Sequence, residues 1–291
     1  MLALVLRLCA ALALATMLML VKLGHERGLG LAHMMLFRQA LSLPIIFGWM
    51  AMTGTLGRMR TSRLTAHGFR AGVGMIGMVL NFLSPILLPL AVATTLGFTS
   101  PIFAVVIAGL FLKETVGIWR WTAVILGFVG ILLIAQPGGG AIPLVGALVA
   151  IGGAFMIAII SAQIRDLAQT EDSLAIVAYF AVFATPPLLI VSLFFEWPTD
   201  FADYAFYAAI AVAGTMAQVL LTLSLRFGKV SSVLVMDYTM LVWATIYGFV
   251  IFGNLPPATL WLGAPLVVGA GLIIVWRESR LVREPVGIRD I

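Results

Sequence analysis

The stretch MDYTMLVWATIYGFVIFGN (236–254) is almost wholly apolar, yet it holds one carboxylate, Asp237. An apolar run of about 20 residues is the mark of a helix that crosses a bilayer. A second stretch, LGFTSPIFAVVIAGLFLKE (96–114), repeats the pattern at an offset of 140 residues. Phe98 falls on Tyr238, Thr99 on Thr239, Phe103 on Trp243, Ala104 on Ala244 and Glu114 on Asn254. The segments behind them, GFVGILLIA (127–135) and VVGAGLIIV (267–275), correspond once the offset slips by one. Self-similarity over half a chain points to an internal duplication.

Composition agrees with a membrane setting. The chain is 62% hydrophobic and 10% charged, with a mean hydropathy of +1.14. A soluble domain carries about 25% charged residues, so this chain lacks the polar groups to coat a globule. Ten apolar runs follow one another: 2–23, 31–53, 68–89, 92–112, 118–136, 143–164, 173–195, 204–226, 230–253 and 259–276. The first could be taken for a secretory signal, with Arg7 before an apolar run and Ala11-Leu12-Ala13 resembling a cleavage site. The continuing apolar runs make it a first spanning helix instead. The turn between the third and fourth runs, near Pro85 and Pro89, carries no charge of its own.

The basic residues orient these runs. With the N-terminus inside, fourteen of the seventeen Lys and Arg fall on the inner side, Lys22 and Arg27 on the outer, and Arg38 within a span. An odd number of spans, or the flipped topology, spoils that division, so both termini are expected in the cytoplasm. Five spans per copy is an odd number, so the second copy enters from the opposite side. The expected fold is therefore all-α and integral to the membrane, with ten transmembrane helices as two inverted five-helix repeats, 1–138 and 139–291. Inverted repeats place a transport site near the midplane between the halves.

Ten spans as five plus five resemble the EamA-type family of the drug/metabolite transporter superfamily. The likeness rests on ATTLGFTSPIFAVVIAGLFLKE (93–114) with RWTAVILGFVGILLIAQPG (120–138), and on VLVMDYTMLVWATIYGFVIFGN (233–254) with LGAPLVVGAGLIIVWRE (262–278). The family's fourth and ninth spans usually end in Glu. Here the first copy keeps Glu114 and the second has Asn254. The resemblance implies a bacterial-type inner-membrane carrier working by alternating access. Amino acid export, including aromatic and hydrophobic amino acids, is the leading expectation. Uptake of an S-adenosylmethionine-like metabolite, or drug efflux, is the rival within transport. A non-transporting sensor or an intramembrane enzyme is the rival in another class.

Ionisable groups inside spans mark functional sites by default, since a charge at the bilayer centre costs about 2.5–3.5 kcal/mol or more. Arg38 and Asp237 each lie about eight residues into their spans, from opposite faces, roughly 12 Å deep at the helical rise. In a core of about 30 Å they are close enough in depth to pair. Two roles stay open: a structural ion pair, or a cavity where Arg38 meets a substrate carboxylate and Asp237 an ammonium or a proton. The uncharged groups Asn81, Gln163 and Gln218 either line that cavity or bond between helices. Phe98, Thr99, Tyr238 and Trp243 complete the candidate substrate-binding set, with each repeat presenting one aromatic. Pro101 is the best placed of the prolines to bend a span.

Other readings fall away. GVGMIG (72–77) matches a dinucleotide fingerprint in letters, but lies in an apolar span without the βαβ context. Ala123, Gly127, Gly130, Gly269 and Gly271 read as close-packing positions on scaffold spans five and ten, or as a dimer surface. The chain lacks any catalytic or zinc-protease motif, and His25, His33 and His67 are scattered. No cofactor, no metal and no enzymatic activity are expected. The single Cys9 excludes an internal disulfide. The net charge of +5 reflects cytoplasmic loops more than a nucleic-acid partner. The expected partners are a small-molecule substrate and the lipid bilayer, with the chain a monomer or a homodimer.

Overall fold

The computed structural model describes residues 2–110, 117–135, 142–227 and 235–281, which form helices joined by short turns and no strand. Span one is α1 (Leu2–Glu26) and span two is α2 (Leu31–Ala40) with α3 (Ser42–Met52). Span three is α4 (Leu64–Leu87), and span four is α5 (Leu90–Gly97) with α6 (Ser100–Leu110). Spans five to eight are α7 (Ile118–Ala135), α8 (Leu144–Leu167), α9 (Ser173–Ser192) and α10 (Phe201–Phe227). Span nine starts as a 3-10 turn (Val235–Tyr238) and continues as α11 (Thr239–Val250); span ten is α12 (Ala258–Leu281). Eight of the ten are long and apolar enough to cross a bilayer, and Trp121–Ala135 is a shorter apolar helix. Glu114, Lys113, Lys229, Arg283 and Arg289 lie outside the described residues, as does the 138/139 boundary between the repeats.

Spans two and four are broken for the same reason. Pro44 and Pro101 sit in the first turn after each break and have no N–H to offer Ala40 or Gly97. Span nine has no such proline, yet its regular helix starts at Thr239, within one residue of the repeat-equivalent position. Thr99 Oγ1 donates to the Leu96 carbonyl at 2.6 Å, and Thr239 Oγ1 to the Met236 carbonyl at 2.6 Å. These are the same bond at positions 140 apart. A hydroxyl that bonds back to a carbonyl competes with the regular ladder and bends the chain.

The main packing pairs map onto one another when each span is exchanged with the one five later. Span one lies on span eight as span three lies on span six. Span two packs on span seven, span four on span nine and span five on span ten, so each of these pairs maps onto itself. Such a pattern fits a pseudo-two-fold axis between the repeats. The buried clusters confirm that the repeats interpenetrate. One runs from Met17, Met34 and Phe82 to Phe180 and Tyr207, and another from Leu88 and Ile131 to Leu260 and Val267. Apolar residues such as Ile125, Leu132, Leu148, Phe249 and Leu262 cover the outside, where lipid and not water is the solvent. Helix association there rests on close packing more than on the hydrophobic effect.

Glycines set the closest approaches. A Cβ on Gly263 would stand 2.7 Å from the Gly130 carbonyl oxygen, and one on Gly130 would stand 2.9 Å from that of Gly263. The α7–α12 crossing is thus backbone on backbone. Gly74 and Gly77, within 72–77, face the Phe180 ring and Ile160, with 2.7 and 2.8 Å for an added Cβ. That segment is a packing surface inside α4.

The uncharged turn between α4 and α5 gets its charge from elsewhere. Lys22, expected on the outer face, is buried, and its Nζ donates to the carbonyls of Pro85 at 2.8 Å and Leu88 at 2.9 Å. Helix C-termini leave carbonyls without partners, and a cation there is favoured by the helix dipole.

Candidate functional site: a cleft between the repeats

Asp237 is paired, but not with Arg38. Arg7 Nε donates to Asp237 Oδ1 at 2.5 Å and Arg7 Nη2 to Oδ2 at 2.6 Å, a two-pronged contact of the kind guanidinium geometry favours. Arg7 Nη1 also reaches Ser224 Oγ at 3.4 Å. The pair ties α1 to the start of span nine and to α10. The expectation of an Arg38–Asp237 pair is therefore corrected. Depth along the membrane allowed both partners, but lateral packing puts span one, not span two, beside span nine.

Arg38 instead lines a cleft between spans two, seven and eight. The cleft takes in about 430 Å³ of space, open mouth included. Arg38, Gln39 and Ser42 come from the first repeat; Phe180, Thr215 and Gln218 come from the second. Toward one end the wall is apolar, with Ile46, Leu174 and Val177. Gly214 makes room for the guanidinium, since an added Cβ would stand 3.1 Å from Arg38 Nε.

The polar groups of this wall are only partly satisfied. Arg38 Nη1 donates to Gln39 Oε1 at 2.6 Å and approaches the Met78 sulfur at 3.5 Å. Arg38 Nε, Gln39 Nε2 and Thr215 Oγ1 are buried without a hydrogen-bond partner among the described residues. Buried donors are normally paired, because an unmade bond costs about 1–3 kcal/mol. All three donors belong to residues that line the cleft. The lining holds no acidic residue.

The other expected site residues disperse. Phe98 and Tyr238 meet edge to face at 4.9 Å between ring centroids, on the axis between the repeats. The Tyr238 hydroxyl fills the space a side chain on Gly271 would take. Thr99 is buried with its hydroxyl held by Leu96. Asn81 donates to the Gly77 carbonyl at 2.8 Å and lies against Gly153 of α8. Gln163, half-buried on α8, keeps Oε1 without a partner among the described residues. Trp243 is half-buried in α11. Of the nine, only Arg38 and Gln218 line the cleft.

Sequence reasoning missed Gln39, Thr215 and Phe180, whose types carry no special signal, and it gave Arg70 no role beyond the inner-side basic count. Span three was expected to start at 68, two residues before Arg70. The helix starts at Leu64 and carries Arg70 a turn and a half inward, where it is buried and its guanidinium lies 4.3 Å above the Phe180 ring.

Two contact sets close the space between the repeats. At one end, Arg58 bonds Asp172 at 3.2 Å and Arg63 pairs with Asp166. Thr61 donates to Glu171 at 2.6 Å, and Tyr179 donates to the Met59 carbonyl at 2.6 Å. Buried His67 stacks on Tyr179 there and stands 3.9 Å from Glu171. At the other end, Phe37 stacks on Tyr207 at 4.9 Å and His33 meets Trp197 at 5.0 Å. The two ion pairs are largely exposed, so each is worth up to about 1 kcal/mol. Losing both shifts an opening equilibrium by up to about thirtyfold. In a Cys9→Ser background, Ile46→Cys is expected to react faster with an impermeant thiol reagent once Arg58 and Arg63 are both Ala. Unchanged labelling would show that these pairs do not hold the end shut.

Known proteins share this architecture. The profile of the EamA-like transporter family matches residues 1–136 and again 144–276. A riboflavin transporter of Vibrio cholerae is 28% identical over 261 residues, covering 88% of this chain and 87% of the relative. A riboflavin transporter of Rhizobium johnstonii is 31% identical over 240 residues, covering 79% and 76%. A pseudopaline exporter of Pseudomonas aeruginosa is 28% identical over 243 residues, covering 82% and 84%. A solved crystal structure superposes with a TM-score of 0.62 at 18% identity, covering 94% of this chain and 98% of its own, which speaks for the fold alone.

Proposed function

The chain belongs to the EamA-like transporter family of multi-pass membrane proteins, and from that membership we propose that its cleft carries a small, acceptor-rich metabolite by alternating access. The carrying observation is the set of buried donors without partners, Arg38 Nε, Gln39 Nε2 and Thr215 Oγ1. Riboflavin is the first substrate to test. Its ring carbonyls and hydroxyls would accept from those donors, its flat ring would lie on Phe180, and two of the relatives above bear its name. Amino acid export is the second reading, favoured by the guanidinium of Arg38, which matches a carboxylate. The ammonium end would lack an acid in the lining, since Asp237 is held by Arg7.

The proposal extends to orientation. Two five-span repeats dividing between residues 136 and 144, in an inner membrane with both termini cytoplasmic, accord with the division of basic residues. Labelled riboflavin and a panel of amino acids, offered to proteoliposomes with and without a pH gradient, test the reading. The expected result is saturable flux of riboflavin, lowered at least tenfold by Thr215→Val with Gln39→Leu. Flux of amino acids alone would favour the second reading, and flux of neither would end both.

A further inference from the structure

Among the described residues, the Lys and Arg side chains that are buried or half-buried within the spans fall into two kinds. Arg7 has a carboxylate and Lys22 has two carbonyls. Arg38 and Arg70 have no acid among the described residues. Arg38 has an amide oxygen and a thioether, and keeps Nε unpartnered. Arg70 has the Phe180 ring, and keeps Nε and Nη1 unpartnered. Phe180 links them: it lines the cleft beside Arg38 and carries Arg70 on its ring.

We propose that Arg38 and Arg70, on either side of Phe180 at the wall of the cleft, form an anion-binding subsite, which takes a carboxylate or phosphate group. Two like charges taken out of water repel and lose hydration together, and buried charges are ordinarily paired. A bound anion removes both penalties and fills donors that face no protein acceptor. Guanidinium forks suit planar carboxylate and tetrahedral phosphate oxygens alike. Gly214 keeps the Arg38 side of the subsite clear. The anionic group belongs either to the carried metabolite or to a separate small anion bound beside a neutral one. The subsite rests on the cleft being the binding site, but its test does not depend on flux.

Binding is measured on the full chain in detergent, by calorimetry and thermal shift at matched ionic strength. The probes are succinate, inorganic phosphate, riboflavin and flavin mononucleotide, with chloride as the control anion. Succinate or phosphate is expected to bind, and Arg38→Gln and Arg70→Gln each to weaken that binding at least tenfold. Arg38→Lys, which keeps the charge, should lose only a few-fold and guards against a folding defect. Tighter binding of flavin mononucleotide than of riboflavin, by tenfold or more, would place the anion on the metabolite. Simultaneous binding of phosphate and riboflavin would mark a separate anion. The subsite is overturned if no anionic probe binds better than chloride, or if folded Gln variants bind them as the parent does. Riboflavin binding that survives both substitutions while anions do not bind would spare the transport reading and sink this one.

Discussion

Replacing Arg7 with Gln is expected to destabilise the detergent-extracted protein by about 3 kcal/mol, and Asp237→Asn by a similar amount. The Arg7 side chain is 7% exposed and that of Asp237 33% exposed. Without Asp237 the guanidinium keeps only the Ser224 hydroxyl, at 3.4 Å, so a buried charge is left almost uncompensated. The penalty for Asp237 left alone is tempered by its contact with solvent. The double variant Arg7→Gln with Asp237→Asn removes both charges together, and is expected to cost about 3–5 kcal/mol, less than the sum of the two. The expected coupling in the four-protein cycle is about 1–3 kcal/mol, read from unfolding in mixed micelles. Strictly additive losses would show that the pair does not act as a unit, and would return Asp237 to the list of groups free to meet a substrate.

Gly263→Ala is expected to cost about 3 kcal/mol, at the upper end for overpacking, whereas Gly269→Ala is expected to be neutral or slightly stabilising. A Cβ at 263 would stand 2.4 Å from Ile134 Cγ1 and 2.7 Å from the Gly130 carbonyl oxygen. The side chain can turn away; the backbone oxygen cannot move without separating α7 from α12. At 269 an added Cβ meets nothing within 4 Å, and alanine is the better helix former by up to about 1 kcal/mol. Thermal midpoints by fluorescence-detected size exclusion compare the two directly. Equal midpoints would mean that the two helices do not depend on the Gly130–Gly263 approach.

These two comparisons also show which parts of the reading were accessible before any geometry. Glycines 127, 130, 269 and 271 all looked alike along the chain, as small residues on apolar spans. Packing separates them: Gly127 and Gly130 are crowded from α6 and α12, Gly271 holds the Tyr238 hydroxyl, and Gly269 is open. The repeat-related pair Phe98 and Tyr238 was visible as aligned letters, and the fold brings the rings into contact across the axis. Arg70 stood at the very start of the expected span, and a helix that begins four residues earlier carries it into the protein interior. Lys22 was read only as an outer-side charge, because apolar runs do not reveal that the α4–α5 turn ends beside it.

Lipid as the solvent, ten spans and a duplication of five were all legible in the order of residues. Each follows from hydropathy, span length and charge spacing, which are properties of the chain read in one dimension. Partners were not legible. Asp237 could face any cation at its depth, and the lateral order of the helices, with span one beside span nine, chose Arg7. The same order left Arg38 opposite Phe180 and Thr215 without an acid. Hydrophobic patterning specifies how far along the membrane normal a group sits, but its neighbours in the plane depend on which helix faces interlock.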